Sequence, residues 1–169
     1  MTTYARCNLP FLIMEEVRDA EPYAGDLFRR KFGDPIPDHP HHFITLYKAA
    51  DGTLHVASYG HVTHYQGIGL GGGSCTDERV LRLMSAADRA ALRAAGGMHC
   101  LLIRFIFETF AQYAPILFAY CGDNRAELVD LRAGFEKTAH RHLLRRVLAP
   151  LSDAEVIEYT TRAAAIGPF

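Results

Sequence analysis

Residues Met98 to Tyr113 constrain the fold more than any other segment. Leu101, Leu102, Ile103, Phe105, Ile106, Phe107 and Phe110 fall on every side of a helical wheel. A helix apolar around most of its circumference must be buried in the middle of a domain. At 1.5 Å per residue it would be roughly 24 Å long. Pro115 ends it, because proline removes an N–H and clashes with the preceding turn. Arg104 and the shortness of the apolar run Leu101 to Phe107 make it a core helix rather than a bilayer span.

The flanks supply the sheet. Tyr4 to Leu9 reads as a short strand, and Glu15 to Phe32 as helical with breaks at Pro22 and Gly25. Pro35, Pro37 and Pro40 make 33–40 a surface loop. Phe43 to Tyr47 is a β-rich run, and Asp51-Gly52 is a hairpin turn. Leu54 to Tyr65 is a partly alternating strand with Gly60 as its bulge or bend. Gly67 to Cys75 holds five glycines in nine residues. That is poor strand material unless something approaches its backbone closely.

Ser85 to Asp88 resembles a capping box and opens a helix through Ala95. Ile116 to Cys121 reads as a strand, Asn124 to Ala133 as a helix stopped by Gly134, and His142 to Leu148 as the last strand. Ser152 to Glu155 is a second capping box, starting a helix to about Ala165. No repeat or linker divides the chain. Residues 1–169 therefore read as one α/β (α+β) domain, with 150–169 as a helical extension.

Composition narrows the function classes. Of 169 residues, 49% are hydrophobic and 22% charged, ordinary values for a globular core. The net charge of -1 leaves no basic excess to neutralise phosphates, which predicts no nucleic-acid partner. Met1 to Asn8 is polar, and Leu9 to Met14 is interrupted by Pro10, so no secretory signal is predicted and a cytoplasmic location is expected. Cys7, Cys75, Cys100 and Cys121 form no CxxC pair, so neither a metal site nor a disulfide framework is expected.

The candidate chemistry gathers at Arg93-Ala94-Ala95-Gly96-Gly97-Met98. A helix N-terminus offers unpaired N–H groups and partial positive charge, to which a diphosphate can bind, and glycines let phosphates approach the main chain. Taken alone, the same pair of glycines reads more readily as a simple helix C-cap and turn.

The C-terminal half carries a resemblance. Phe118-Ala119-Tyr120-Cys121, then Asp123-Asn124-Arg125-Ala126, then Gly134-Phe135 and the strand His142 to Leu148 are similar to the end of the GNAT N-acyltransferase superfamily. On that resemblance, Arg93 to Met98 fits the pyrophosphate loop. Gly67 to Cys75 fits the preceding strand, which splays from its neighbour to admit pantetheine. The resemblance implies a mixed, mostly antiparallel central sheet flanked by helices, binding acetyl-CoA or a longer acyl-CoA and transferring the acyl group to a small-molecule or peptide amine.

Ser74, Cys75, Thr76, Arg93, Gly96, Gly97, Met98 and Asn124 become the expected CoA-binding residues. The chain departs from the pattern at Met98, where glycine or alanine is usual, and at Asp123, which takes the usual asparagine position. It also has an inserted helix at Ser85 to Ala95. Asp130 stands where many members carry a tyrosine that protonates the departing thiolate, and an ionised aspartate cannot donate that proton. His64 is therefore expected as the base and Tyr120 as the acid, with a core-facing role as the ordinary alternative for either.

Other groups were weighed. His39-Pro40-His41-His42 reads as a solvated loop rather than a metal cluster. His61 and His64, three apart on a strand, point to opposite faces and cannot share a metal. The amphipathic Leu151 to Ala165 lacks a basic face, so packing or a homodimer suits it better than a membrane. Two further readings stay open: a CoA-binding module without turnover, and a cysteine- or metal-dependent hydrolase.

Overall fold

The computed structural model describes residues 9–38 and 41–169. The strand expected at Tyr4 to Leu9 lies outside them apart from Leu9. The chain runs β1 (Leu12–Val17), α1 (Glu21–Phe32), β2 (His41–Lys48), β3 (Leu54–Tyr65), β4 (Ile68–Gly71), β5 (Cys75–Thr76), α2 (Glu78–Leu83), α3 (Ala86–Ala94) and α4 (Met98–Phe110). It continues with β6 (Ile116–Tyr120), α5 (Asn124–Ala133), β7 (Glu136–Lys137), β8 (Leu143–Val147) and α6 (Asp153–Ile166). The sheet order is β1-β2-β3-β4-β6-β8-β7, with β5 paired to β3. Every pairing is antiparallel except β4 with β6.

The N-terminal third corrects the helical reading of Glu15 to Phe32. Leu12 and Met14 are buried alternately, and residues 12–17 pair with β2 as an edge strand. The helix starts only at Glu21, with Pro22 in its first turn, where a missing N–H leaves no bond unmade. Gly25 stays inside the helix, buried beneath the Glu21 side chain, and Gly33 at φ 83° ends it. The bulge also moves. The β2–β3 register slips between Thr45 and Leu46, opposite Ser58 and Val56, while Gly60 pairs regularly with Phe43. His41 and His42 are not loop residues but the first two of β2.

The two faces of the sheet carry separate cores. On one, α4 packs over Leu12, Met14, Phe43, Val62 and Leu117. On the other, α1 covers Ile44 and Tyr59, and α6 covers Ile68, Leu70, Ile116, Phe118 and Leu143. Neighbours such as Phe43 and Ile44, or Ile116 and Leu117, thus go to opposite sides, as strand pleating requires. The expectation of a central, buried α4 holds: Leu102 and Phe110 are 0% exposed and Phe105 2%. The helix ends at Phe110, three residues sooner than its apolar run suggested.

Local signals account for the other boundaries. Ser85 accepts the Asp88 N–H at 3.0 Å, but the Asp88 carboxylate accepts from the Tyr47 hydroxyl instead of completing a capping box. Ser152 and Glu155 do complete one at α6. The short helix α2, unforeseen from the sequence, is capped by Asp77, which accepts the Arg79 N–H at 2.9 Å. No single helix is long and apolar enough to cross a membrane among the described residues.

Candidate active site between splayed strands

The glycine-rich strand makes the opening. Gly69, Leu70 and Gly71 of β4 pair in parallel with Leu117, Phe118 and Ala119 of β6. Past Gly71 the chain turns away, and Cys75 and Thr76 pair only with Tyr59 and Ser58 of β3. β6 runs on to Tyr120 without a neighbour on that side among the described residues. The gap becomes a cavity of about 290 Å³, lined by Gly60, His61, Gly72, Leu117, Tyr120 and Asp130 among others.

A second, shallower groove of about 540 Å³ runs along the start of α4, past Ser74, Cys75, Thr76, Gly96, Gly97 and Met98. The two spaces meet, sharing Phe32, Ser74, His99 and Ala126.

The α3–α4 junction serves both readings made of its glycines. The Gly96 and Gly97 amides donate back to Arg93 O and Leu92 O at 3.1 and 2.9 Å, closing α3. Their φ values of 106° and 91° belong to glycine. Gly97 is also the N-cap of α4, and no side chain caps it. The first intrahelical bond of α4 is Leu101 N–H to Gly97 O at 3.1 Å. The donors offered to a phosphate are therefore the amides of Met98, His99 and Cys100, all lining the groove, rather than those of the glycines. An added Cβ at Gly97 meets nothing within 4 Å, so the approach to them is open.

The other expected residues divide. Ser74, Cys75, Thr76, Gly96, Gly97 and Met98 all line the groove. Arg93 is exposed and lines neither space, and Asn124 lines a separate depression beside Lys137 and His140. Two cations not singled out from the sequence, Lys31 at the end of α1 and Arg125 at the start of α5, stand on the groove instead. Their only sequence signal was position, since Arg125 follows the helix cap Asp123.

Tyr120 lines the cavity. His64 lies outside it, exposed, with its ring 6.4 Å from that of Phe110. His61, three residues earlier and beside Gly72 at the splay, does line the cavity. His61 is 6% exposed and belongs to a buried chain in which its Nδ1 is 3.2 Å from the Tyr59 hydroxyl, itself 2.9 Å from His42 Nδ1. Burial pushes the Tyr59 phenol well above its usual range, so it remains a neutral hydroxyl able to donate to one ring and accept from the other.

The cysteines are quiet. Burial first, then the field of Asp77, raises the Cys75 thiol to about 12 against the pull of Lys31 and Arg30. Burial and the neighbouring Asp130 raise Cys121 to about 11. Neither is a thiolate near neutral pH, so neither of these two is an activated nucleophile.

A splayed parallel pair facing an uncapped helix N-terminus is the architecture of the GNAT acetyltransferases, and this chain has their fold. The ribosomal-protein-S18-alanine N-acetyltransferase from Escherichia coli superposes with a TM-score of 0.55 at 9% identity, covering 84% of this chain and 97% of that one. Looser likenesses, on which nothing further rests, include the KacTA–DNA complex (TM-score 0.48, 15% identity, 89% and 99% covered). A putative acetyltransferase from Exiguobacterium sp. 255-15 is another (TM-score 0.43, 11% identity, 90% and 97% covered). No protein-family model matches the sequence, and no curated protein matches it significantly.

Proposed function

We propose that this protein is an acyl-CoA-dependent N-acyltransferase, using acetyl-CoA or another short acyl-CoA and an amine of a small molecule or peptide. One observation carries the reading. The cavity between β4 and β6 opens directly into the groove along the uncapped start of α4. A CoA diphosphate held by the Met98–Cys100 amides, with Lys31 and Arg125 alongside, would direct its pantetheine past Ser74 and place the thioester in the cavity.

Catalysis then follows from holding amine and thioester together in a site shielded from water. His61 takes the place of His64 as the base, because it is the histidine of β3 that lines the cavity. Its Nδ1 lies 3.2 Å from the Tyr59 hydroxyl, which fixes the ring in the cavity wall. Tyr120 is the phenol on the cavity wall.

Calorimetry with CoA, followed by thiol release from acetyl-CoA over a panel of amines, tests the reading. Micromolar or tighter CoA binding is expected, weakened about tenfold by Arg125→Glu in a salt-dependent way. Absence of CoA binding by a folded protein would refute it. Tight binding with no acylation of any amine would favour a binding module instead.

A further inference from the structure

An acyl-CoA threaded from the groove into the cavity passes the residues that line both spaces. Four residues line both spaces: Phe32, Ser74, His99 and Ala126. Of these, His99 is the one titratable group in the neutral range. It is the second residue of α4, and its Nε2 lies 3.3 Å from Oδ1 of Asp130, which reaches across from α5. The Asp130 side chain is 8% exposed and that of His99 22%; both line the cavity, and His99 lines the groove as well.

Asp130 is the more buried partner of the imidazole, able to orient it through that contact. The same carboxylate helps to keep the nearby Cys121 in its thiol form, so that side chain does not compete as a charged partner.

We infer that His99, held by Asp130, protonates the departing CoA thiolate, a task the sequence alone assigned to Tyr120. The inference rests on the acyltransferase reading. The amine lone pair forms the C–N bond at the thioester carbonyl, the C–S bond breaks, and its electron pair goes to sulfur. The doubly protonated His99 ring donates Nε2–H to Asp130 and gives the Nδ1 proton to sulfur. The ammonium proton leaves through His61, and the neutral His99 ring regains its proton from water. Asp130 acts on the reaction through His99 and is a positioning residue, although it also lines the cavity.

The group that gives sulfur its proton must also stabilise the thiolate in the reverse direction, so the thiol of bound CoA reports on it without any acceptor. Thiolate ultraviolet absorbance of the CoA complex, followed against pH, should show the bound thiol at least about tenfold more acidic than in free CoA. His99→Gln and the isosteric Asp130→Asn should return it towards the free value, and Tyr120→Phe should not. Calorimetry on each variant should show CoA still bound. His99→Gln alone decides the matter if Asp130→Asn does not fold.

A wild-type complex whose thiol titrates like free CoA would overturn the inference. So would a shift abolished by Tyr120→Phe and left intact by His99→Gln. Failure of the wild type to bind CoA would instead bring down the acyltransferase reading itself, and this inference with it.

Discussion

The imidazole of His61 fills the space that a side chain at Gly72 would need, while the Gly72 amide donates to the His61 carbonyl at 3.0 Å. The place where β4 turns away from β6 is thus also where the candidate base is set. Gly72→Ala should displace the ring and disturb its contact with Tyr59. The expected result is a large loss of kcat, about 10²–10⁴-fold as for removal of a general base, with CoA affinity within about threefold of wild type. Steady-state kinetics beside calorimetry separates the two. An equal loss of both would mean that the fold, rather than His61, had been disturbed.

Gly97 is open to the groove but sits at φ 91°. A carboxylate there would repel a diphosphate, so Gly97→Asp should weaken CoA binding at least about tenfold. Gly97→Ala carries the same backbone strain without the charge and measures how much of the loss is steric. Calorimetry that found the two variants alike would refute the electrostatic account.

Phe105 packs edge-on against Phe43, with ring centroids 6.1 Å apart, and is 2% exposed. Phe105→Ala should cost about 3–5 kcal/mol in chemical denaturation, through lost transfer energy and an unfilled cavity. A loss under about 1 kcal/mol would contradict the buried position of α4.

Asp77 gives stability a pH dependence. Burial pushes its carboxyl up, but the hydrogen bond from Arg30 at 2.9 Å, the Arg79 N–H and both guanidinium charges hold it below its ordinary value. A depressed folded pKa stabilises above the unfolded value, and the gain disappears as pH falls through the folded one. Asparagine can still cap α2. Asp77→Asn should therefore cost about 1.5–3 kcal/mol near neutral pH, and the gap should close as the pH falls through the depressed folded value, below the usual carboxylate range. Thermal melts across that range test the sign.

The thiols of Cys75 and Cys121, raised to about 12 and about 11 by burial above all, should resist alkylation. Iodoacetamide at neutral pH should modify them at least about a hundredfold more slowly in the native protein than in the denatured chain. Rapid native labelling at either position, read by mass spectrometry, would restore the cysteine-nucleophile reading.

What the sequence determined by itself was local. The all-round apolar run of α4, the caps Ser85 and Ser152, the stop at Gly134 and the glycine-rich strand each depend on periodicity or on backbone conformations that one or two residues dictate. The residues Ser74 to Thr76 and Gly96 to Met98 were legible for the same reason, since a diphosphate would bind main chain there rather than any particular side chain.

The tertiary structure decided whatever depended on partners distant in sequence. Residues 12–17 are a strand because β2 lies beside them, an influence no window around Glu15 contains. Alternation told that His61 and His64 face opposite ways, but the splay decides between them: His64 lies opposite Gly69, where β4 still pairs with β6, and His61 lies beside Gly72, beyond that pairing. The clearest case is His99 with Asp130, thirty-one residues apart and joined only when α5 packs on α4. A side-chain contact between two helices is set by how their surfaces interlock, and that information belongs to the packed core and not to either helix.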